Sequence, residues 1–174
     1  MNKKTIYIIV AVLIVIIVVG VAAYALLYNS GGGGTTSPTP TPIVGVADAT
    51  TLQFSANVTS QGTTVEYKWY GKDIHANMTL RVDLLGGASG NYSYILNAGE
   101  EKSWSSTDNG VTWTPGNFTA DWISWSPLWT GYVDNLTHWS GSGNYAYTDP
   151  SGEAITLFNI SVNPTIPDST FATS

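Results

Sequence analysis

From Ile6 to Tyr28 the chain runs for 23 residues without a charged side chain and is dominated by Ile and Val. As a helix, such a run is about 35 Å long, enough to cross a hydrocarbon layer about 30 Å thick. Asn2, Lys3 and Lys4 precede it, and the next basic residue is Lys68. This asymmetry predicts a cytoplasmic N-terminus over residues 1–5, a transmembrane anchor over 6–28 and an extracellular remainder on a single-pass cell-membrane protein. Tyr7, Tyr24 and Tyr28 fall near the two ends, where aromatic belts form. The competing expectation is a cleavable secretory signal, for which Ala23-Tyr24-Ala25 offers the small residues. The apolar stretch exceeds the roughly 7 to 15 residues of a signal core, which favours an uncleaved signal-anchor. Both readings export the chain beyond Tyr28.

Residues 29–42 read NSGGGGTTSPTPTP, four glycines followed by Thr-Pro alternation. Glycines give flexibility and prolines favour extended polyproline II, so this segment is expected to be a spacer between the membrane and a domain. The domain spans residues 43–174. It has four basic and twelve acidic side chains, a net of −8, and contains all seven Trp of the chain. An acidic surface does not suit phosphate neutralisation, so nucleic acid is excluded as a partner. The chain has no Cys, which excludes a disulfide framework, a Cys-based zinc site and a thiol nucleophile. A length of 132 residues buries roughly two-thirds of its unfolded surface, sufficient for one core.

Within the domain, Leu52, Phe54, Ala56 and Val58 alternate with Gln53, Ser55, Asn57 and Thr59. That period of two marks a half-buried strand. The pattern recurs at Val65, Tyr67 and Trp69 and at Met78, Leu80, Val82 and Leu84. Residues 92–96, 102–106, 111–113, 145–148 and 154–162 complete a set of about eight strands separated by Gly-, Asn- and Asp-rich turns. One stretch differs. Trp122, Trp125, Trp129, Tyr132, Val133 and Leu136 are spaced by threes and fours, and Ser126-Pro127 resembles an N-cap followed by Pro at the first helical position. A helix is therefore predicted over 127–138, with room for a shorter turn before it. The expected fold is mainly β with one or two helices: a single antiparallel curled sheet, or half-open β-barrel, packed on a Trp-rich amphipathic helix.

Two segments carry a family resemblance. YILNAGEEKSWSSTDNGVTW (residues 94–113) and ISVNPTIPDSTF (residues 160–171) resemble parts of the lipoprotein-carrier fold shared by LolA and the LppX/LprG-like proteins. That likeness implies a half-open barrel cupping a helical lid over a lipid-binding cavity. Unlike the lipidated members, this chain has no Cys to acylate.

Catalytic constellations are sparse. His75 and His138 lie far apart without a metal-ligand motif. Ser89 is followed by Gly90-Asn91, which breaks the GxSxG elbow. Asp108-Asn109-Gly110 and Asp149-Pro150-Ser151-Gly152 read as turns, and the adjacent Glu100 and Glu101 do not share a strand face. No enzyme activity, cofactor or metal is expected. Sequons of the N-x-S/T type occur at Asn57, Asn77, Asn91, Asn117, Asn135 and Asn159, six of the ten Asn in the domain. With 32 Ser or Thr in 132 residues, chance gives about 2.4 (10 × 32/132). Glycans at these sites would supply the hydration that charges do not. A disulfide-free, anchored glycoprotein of this kind is similar to archaeal cell-surface proteins.

The functional expectation is non-catalytic binding of an apolar ligand, a lipid or lipid-linked group, in a cavity walled by Trp69, Trp104, Trp113, Trp122, Trp125, Trp129 and Tyr132. A structural or adhesive glycoprotein, in which the same rings fill a packed core, is the alternative. Carbohydrate binding on exposed aromatic platforms ranks third, because few Asp, Asn or Arg adjoin the Trp in sequence to fix hydroxyls.

Overall fold

A computed structural model describes residues 45–173 apart from 88 and 89. The expected anchor at 6–28, the expected spacer at 29–42 and Ser89 lie outside the described residues. Among those described, no helix is long and apolar enough to cross a membrane.

Among the described residues, eight strands form one antiparallel sheet: β1 (Thr51–Ser60), β2 (Thr63–Lys72), β3 (Thr79–Gly87), β4 (Gly90–Asn97), β5 (Lys102–Ser106), β6 (Thr114–Pro115), β7 (Tyr145–Thr148) and β8 (Ala154–Val162). Their spatial order is β6-β5-β4-β3-β2-β1-β8-β7. The sheet is curled and unclosed, with β6 and β7 at its edges. Alternating patterning made the first three strands legible, and turn-rich segments delimit the next two. Gln61 and Gly62, which join β1 to β2, both have positive φ (50° and 80°). This is the backbone twist that a two-residue hairpin requires.

The helix α1 (Phe118–Leu136) carries the chain from the β6 edge to the β7 edge. Its 19 residues span about 28 Å, close to the roughly 34 Å across seven strand spacings. The helix thus bridges one face of the curled sheet from side to side.

The structure departs from expectation at two places. The helix begins nine residues before Pro127, capped by Asn117, whose side chain accepts the Ala120 N–H at 3.2 Å. Ser126-Pro127 is helix interior, and the helix ends at Leu136 rather than 138. Proline removes the donor to the Ile123 carbonyl, but Ile123 is 64% exposed, so water can supply what is missing. Burial of Trp125, Trp129, Tyr132 and Leu136 along one stripe outweighs the local breaker. The second correction concerns Val111–Trp113, which is loop rather than strand. The Asp108 carboxylate organises this loop, accepting the N–H groups of Val111 at 3.1 Å and Thr112 at 2.9 Å as well as the Thr112 hydroxyl. Pairing resumes only over Thr114–Pro115.

Register places Phe54, Trp69, Val82, Tyr94 and Ser105 in one row facing the helix. The neighbouring row, Gln53, Tyr70, Arg81, Ile95 and Trp104, faces away. The main core lies on the helix side, where Leu52, Leu80, Leu96, Leu136 and Leu157 surround the aromatic rings. The away-facing side is partly covered by the C-terminal segment. Asn163, at φ 52°, turns the chain after β8 and accepts the Thr50 N–H at 2.8 Å. Beyond it a 3-10 turn (Asp168–Phe171) docks on β3 and β2 through Arg81 and Lys72.

Candidate functional site

The helix-side interior is an aromatic cluster. Phe54 stacks on Trp129 with ring centroids 5.4 Å apart and lies 6.4 Å from Trp69. Trp69 also meets Trp125 at 6.1 Å, Trp129 at 6.0 Å and Tyr132 at 5.8 Å. Tyr94 packs on Trp125 at 4.9 Å. Trp69 is 0% exposed, Trp129 4%, Tyr132 5% and Trp125 9%. Such offset and edge-to-face pairs add about 0.5–1.5 kcal/mol each beyond the area they bury. The sheet yields space for one of them at Gly71: a Cβ there would lie 2.4 Å from Cη2 of Trp129.

Of the seven residues expected to wall one cavity, Trp69, Trp125, Trp129 and Tyr132 converge in this cluster. Trp122 lies at its margin, partly buried and stacked on Phe118 at 5.5 Å. Trp104 and Trp113 belong to the opposite face of the sheet and are not brought together with the other five. Trp104 occupies the Arg81–Ile95 row, and Trp113 lies under the Arg81 guanidinium, 5.6 Å from its ring centroid. The sequence pattern did not mark Phe54 and Tyr94 as ring partners: Phe54 fell on the alternating face of its strand, and Tyr94 only within the strand expected over 92–96. It also missed Trp139, buried at 8% with its indole N–H donated to the carbonyls of Ser142 and Gly143. The i+3 step from Leu136 was the available signal.

Two electrostatic details mark this interior. The Trp69 Nε1–H is buried without a hydrogen-bond partner among the described residues. Burial pushes the Tyr132 hydroxyl well above its ordinary pKa, and Tyr67, Tyr147, Glu153 and Asp149 reinforce the shift. Tyr67 and Tyr94 are raised for the same main reason. These phenols remain neutral across the physiological range.

The away-facing side carries a different arrangement. Arg81 is a hub: its Nε donates to Asp83 at 2.9 Å, its guanidinium lies over Trp113, and another of its nitrogens donates to the Thr170 carbonyl at 2.8 Å. Lys72 pairs with Asp168 at 2.6 Å. Ile95 is buried at 1% and Ile166 at 8%, yet neither belongs to the helix-side cluster. Beside this small second core lies a groove of about 280 Å³.

The sequon Asn residues are dispersed. Asn77, Asn91, Asn117 and Asn159 are exposed, while Asn57 and Asn135 are half-buried. No Asn among the described residues is buried, so exposure follows the residue type rather than the sequons. Asn91 and Asn135 use their Nδ2 as donors, to Asn109 at 3.0 Å and to the Gly131 carbonyl at 2.8 Å. Asn159 sits at φ 52° in the bulge that β8 makes against β1. Among the described residues, no three His, Cys, Asp or Glu converge as a metal site.

Comparisons with protein families, curated proteins and solved structures found no match to this chain. The likeness to lipoprotein carriers therefore rests on residues 94–113 and 160–171 alone.

Proposed function

We propose that this is a non-catalytic cell-surface domain with a filled aromatic interior, displayed outside the membrane on an N-terminal anchor and spacer and hydrated by N-linked glycans. The observation carrying this reading is the interlocked set Phe54, Trp69, Trp125, Trp129 and Tyr132. Each ring lies within 6.4 Å of another, and none is more than 9% exposed. Rings packed against one another act as core, and a rigid core suits a structural or adhesive role. Native mass spectrometry of the full chain from its host membrane should give protein plus glycan, with no stoichiometric lipid. Digestion of the same material should yield mass-shifted peptides containing Asn57 or Asn135, and unmodified peptides throughout would overturn the glycan assignment.

A second reading is carriage of an apolar ligand between helix and sheet, favoured by the unpartnered Trp69 Nε1–H. An orphaned buried donor costs about 1–3 kcal/mol, and a carbonyl or ester oxygen of a lipid would satisfy it. Under this reading α1 moves as a lid. Retained lipid in the native spectrum, lost on Trp69→Phe, would replace the packed-core proposal with this one.

A further inference from the structure

The groove on the away-facing side joins surfaces of two kinds. Ile95, Trp104 and Phe171 line it with apolar area, and Lys72, Asp73, Asn97, Glu100 and Asp168 add polar groups. Trp104 is only half-buried. Here the tertiary structure supplies what the sequence lacked, since polar side chains from β2, β4, the following turn and the C-terminal turn gather around a Trp.

We propose that this groove binds a neutral pyranose sugar. The face of an indole is electron-rich and attracts the weakly positive C–H face of a pyranose ring. The ring's hydroxyls then meet the carboxylates and amide around it. Several of those groups are already oriented. Asn97 Oδ1 accepts the Glu100 N–H at 3.0 Å, which leaves its Nδ2 as a donor. Glu100 takes Lys102 on one oxygen at 2.8 Å, and Asp168 takes Lys72 on one oxygen at 2.6 Å, so each retains a second acceptor oxygen.

Charge and size narrow the ligand class. One Lys faces three carboxylates in the lining, a net of −2, which disfavours phosphates and uronic acids. An acyl chain would strip these groups of water without replacing their hydrogen bonds, which disfavours an apolar ligand here. A volume of about 280 Å³ falls just below the roughly 300–1,000 Å³ of pockets for drug-sized ligands. It suits one sugar ring. The groove would serve in this way however the helix-side interior is used.

Two sources could present that ring: a separate saccharide, or the chain's own glycan. Asn77 is a sequon residue exposed next to the groove. Its side chain lies against Gly99, where a Cβ would come 2.9 Å from the Cβ of Asn77, and Gly99 adjoins the lining residue Glu100.

The test is saturation-transfer NMR on the full chain, produced without glycans and held in a detergent lacking a sugar headgroup. The probes are methyl glucoside, methyl mannoside, methyl galactoside and glucuronate. Ring protons of at least one neutral glycoside should receive saturation. Trp104→Ala should abolish the signal, Trp104→Phe should weaken it, and Trp122→Ala, on the other face, should leave it unchanged. Glucuronate should bind about fivefold more weakly, the factor for one like-charge contact at a solvated rim. If Trp104→Ala lowers the melting temperature, Glu100→Gln and Asn97→Ala provide the same test by a several-fold loss of affinity. No transfer to any neutral probe, transfer that survives Trp104→Ala and the two polar variants, or glucuronate binding as tightly as the neutral sugars would each overturn the proposal. Host-purified protein separates the sources. If the Asn77 glycan fills the groove, free sugar should bind only after Asn77→Gln; if the ligand is a separate saccharide, it should bind with or without that change.

Discussion

Replacing Trp129 by Ala tests the packed interior at its centre. This ring is 4% exposed, stacks on Phe54 at 5.4 Å, and occupies the space above Gly71 that no side chain could share. An aromatic side chain buries roughly 150–250 Å², which at about 25 cal/mol/Å² amounts to about 4–6 kcal/mol. Compact denatured states reduce that figure, and aromatic-to-Ala changes in packed cores cost about 3–5 kcal/mol. A loss of about 4 kcal/mol is thus the expected outcome, a large share of the roughly 5–15 kcal/mol that holds a domain together. At about 3–5 °C per kcal/mol for a domain of this length, the midpoint should fall by about 12–20 °C. Thermal unfolding of the full chain, followed by near-UV circular dichroism, measures it. A fall of less than about 4 °C would show that the ring is not wedged between Phe54 and Gly71, and the packed-core reasoning would fail with it.

The same geometry sets other expectations. Gly71→Ala should cost about 1–3 kcal/mol through overpacking. In the Trp129→Ala background most of that cost should vanish, because the clash partner is gone; additive melting shifts would contradict the contact. The Thr112 and Ser106 hydroxyls and backbone N–H groups hold Asp108 near a pKa of about 2. A folded pKa below the unfolded value of about 3.9 gives stability that is present above pH 4 and lost as pH falls through about 2. Asp108→Asn should accordingly flatten the denaturation midpoint between pH 4 and 2 relative to the parent, and parallel profiles would refute the role given to the loop. Arg81→Ala should release the C-terminal turn and Trp113 together, seen as new proteolytic cleavage after residue 163 and a red-shifted Trp emission. Unchanged cleavage and emission would mean that Arg81 does not act as the hub.

Strand periodicity carried most of the fold into the sequence. In β1 through β3 the half-buried face repeats every second residue, and a slip of one position would turn Phe54, Trp69 and Val82 to the outside. The helix was legible as a stripe of Trp and Tyr but not in its start. Ser126-Pro127 reads locally as an N-terminus, and only burial of the stripe on both sides of Pro127 keeps the backbone helical through it. Val111–Trp113 failed in the converse way. Its residues suit a strand, yet three hydrogen bonds from Val111 and Thr112 to the Asp108 carboxylate hold the segment as loop.

Alone, the sequence determined an apolar 23-residue run, a Gly/Thr/Pro-rich stretch, an acidic β-rich domain and an excess of sequons, because each is local composition or short-range period. The division of the seven Trp among different surroundings was decided only by tertiary structure. Antiparallel register assigns Trp69 and Trp104 to opposite faces of one sheet, while the helix brings Trp125 and Trp129 to the first face alone. The groove beside Trp104 depends further on Asp168 reaching Lys72 across 96 residues of sequence. No local pattern encodes such a pairing, since it exists only once β8 has paired with β1 and Asn163 has turned the chain back over the sheet.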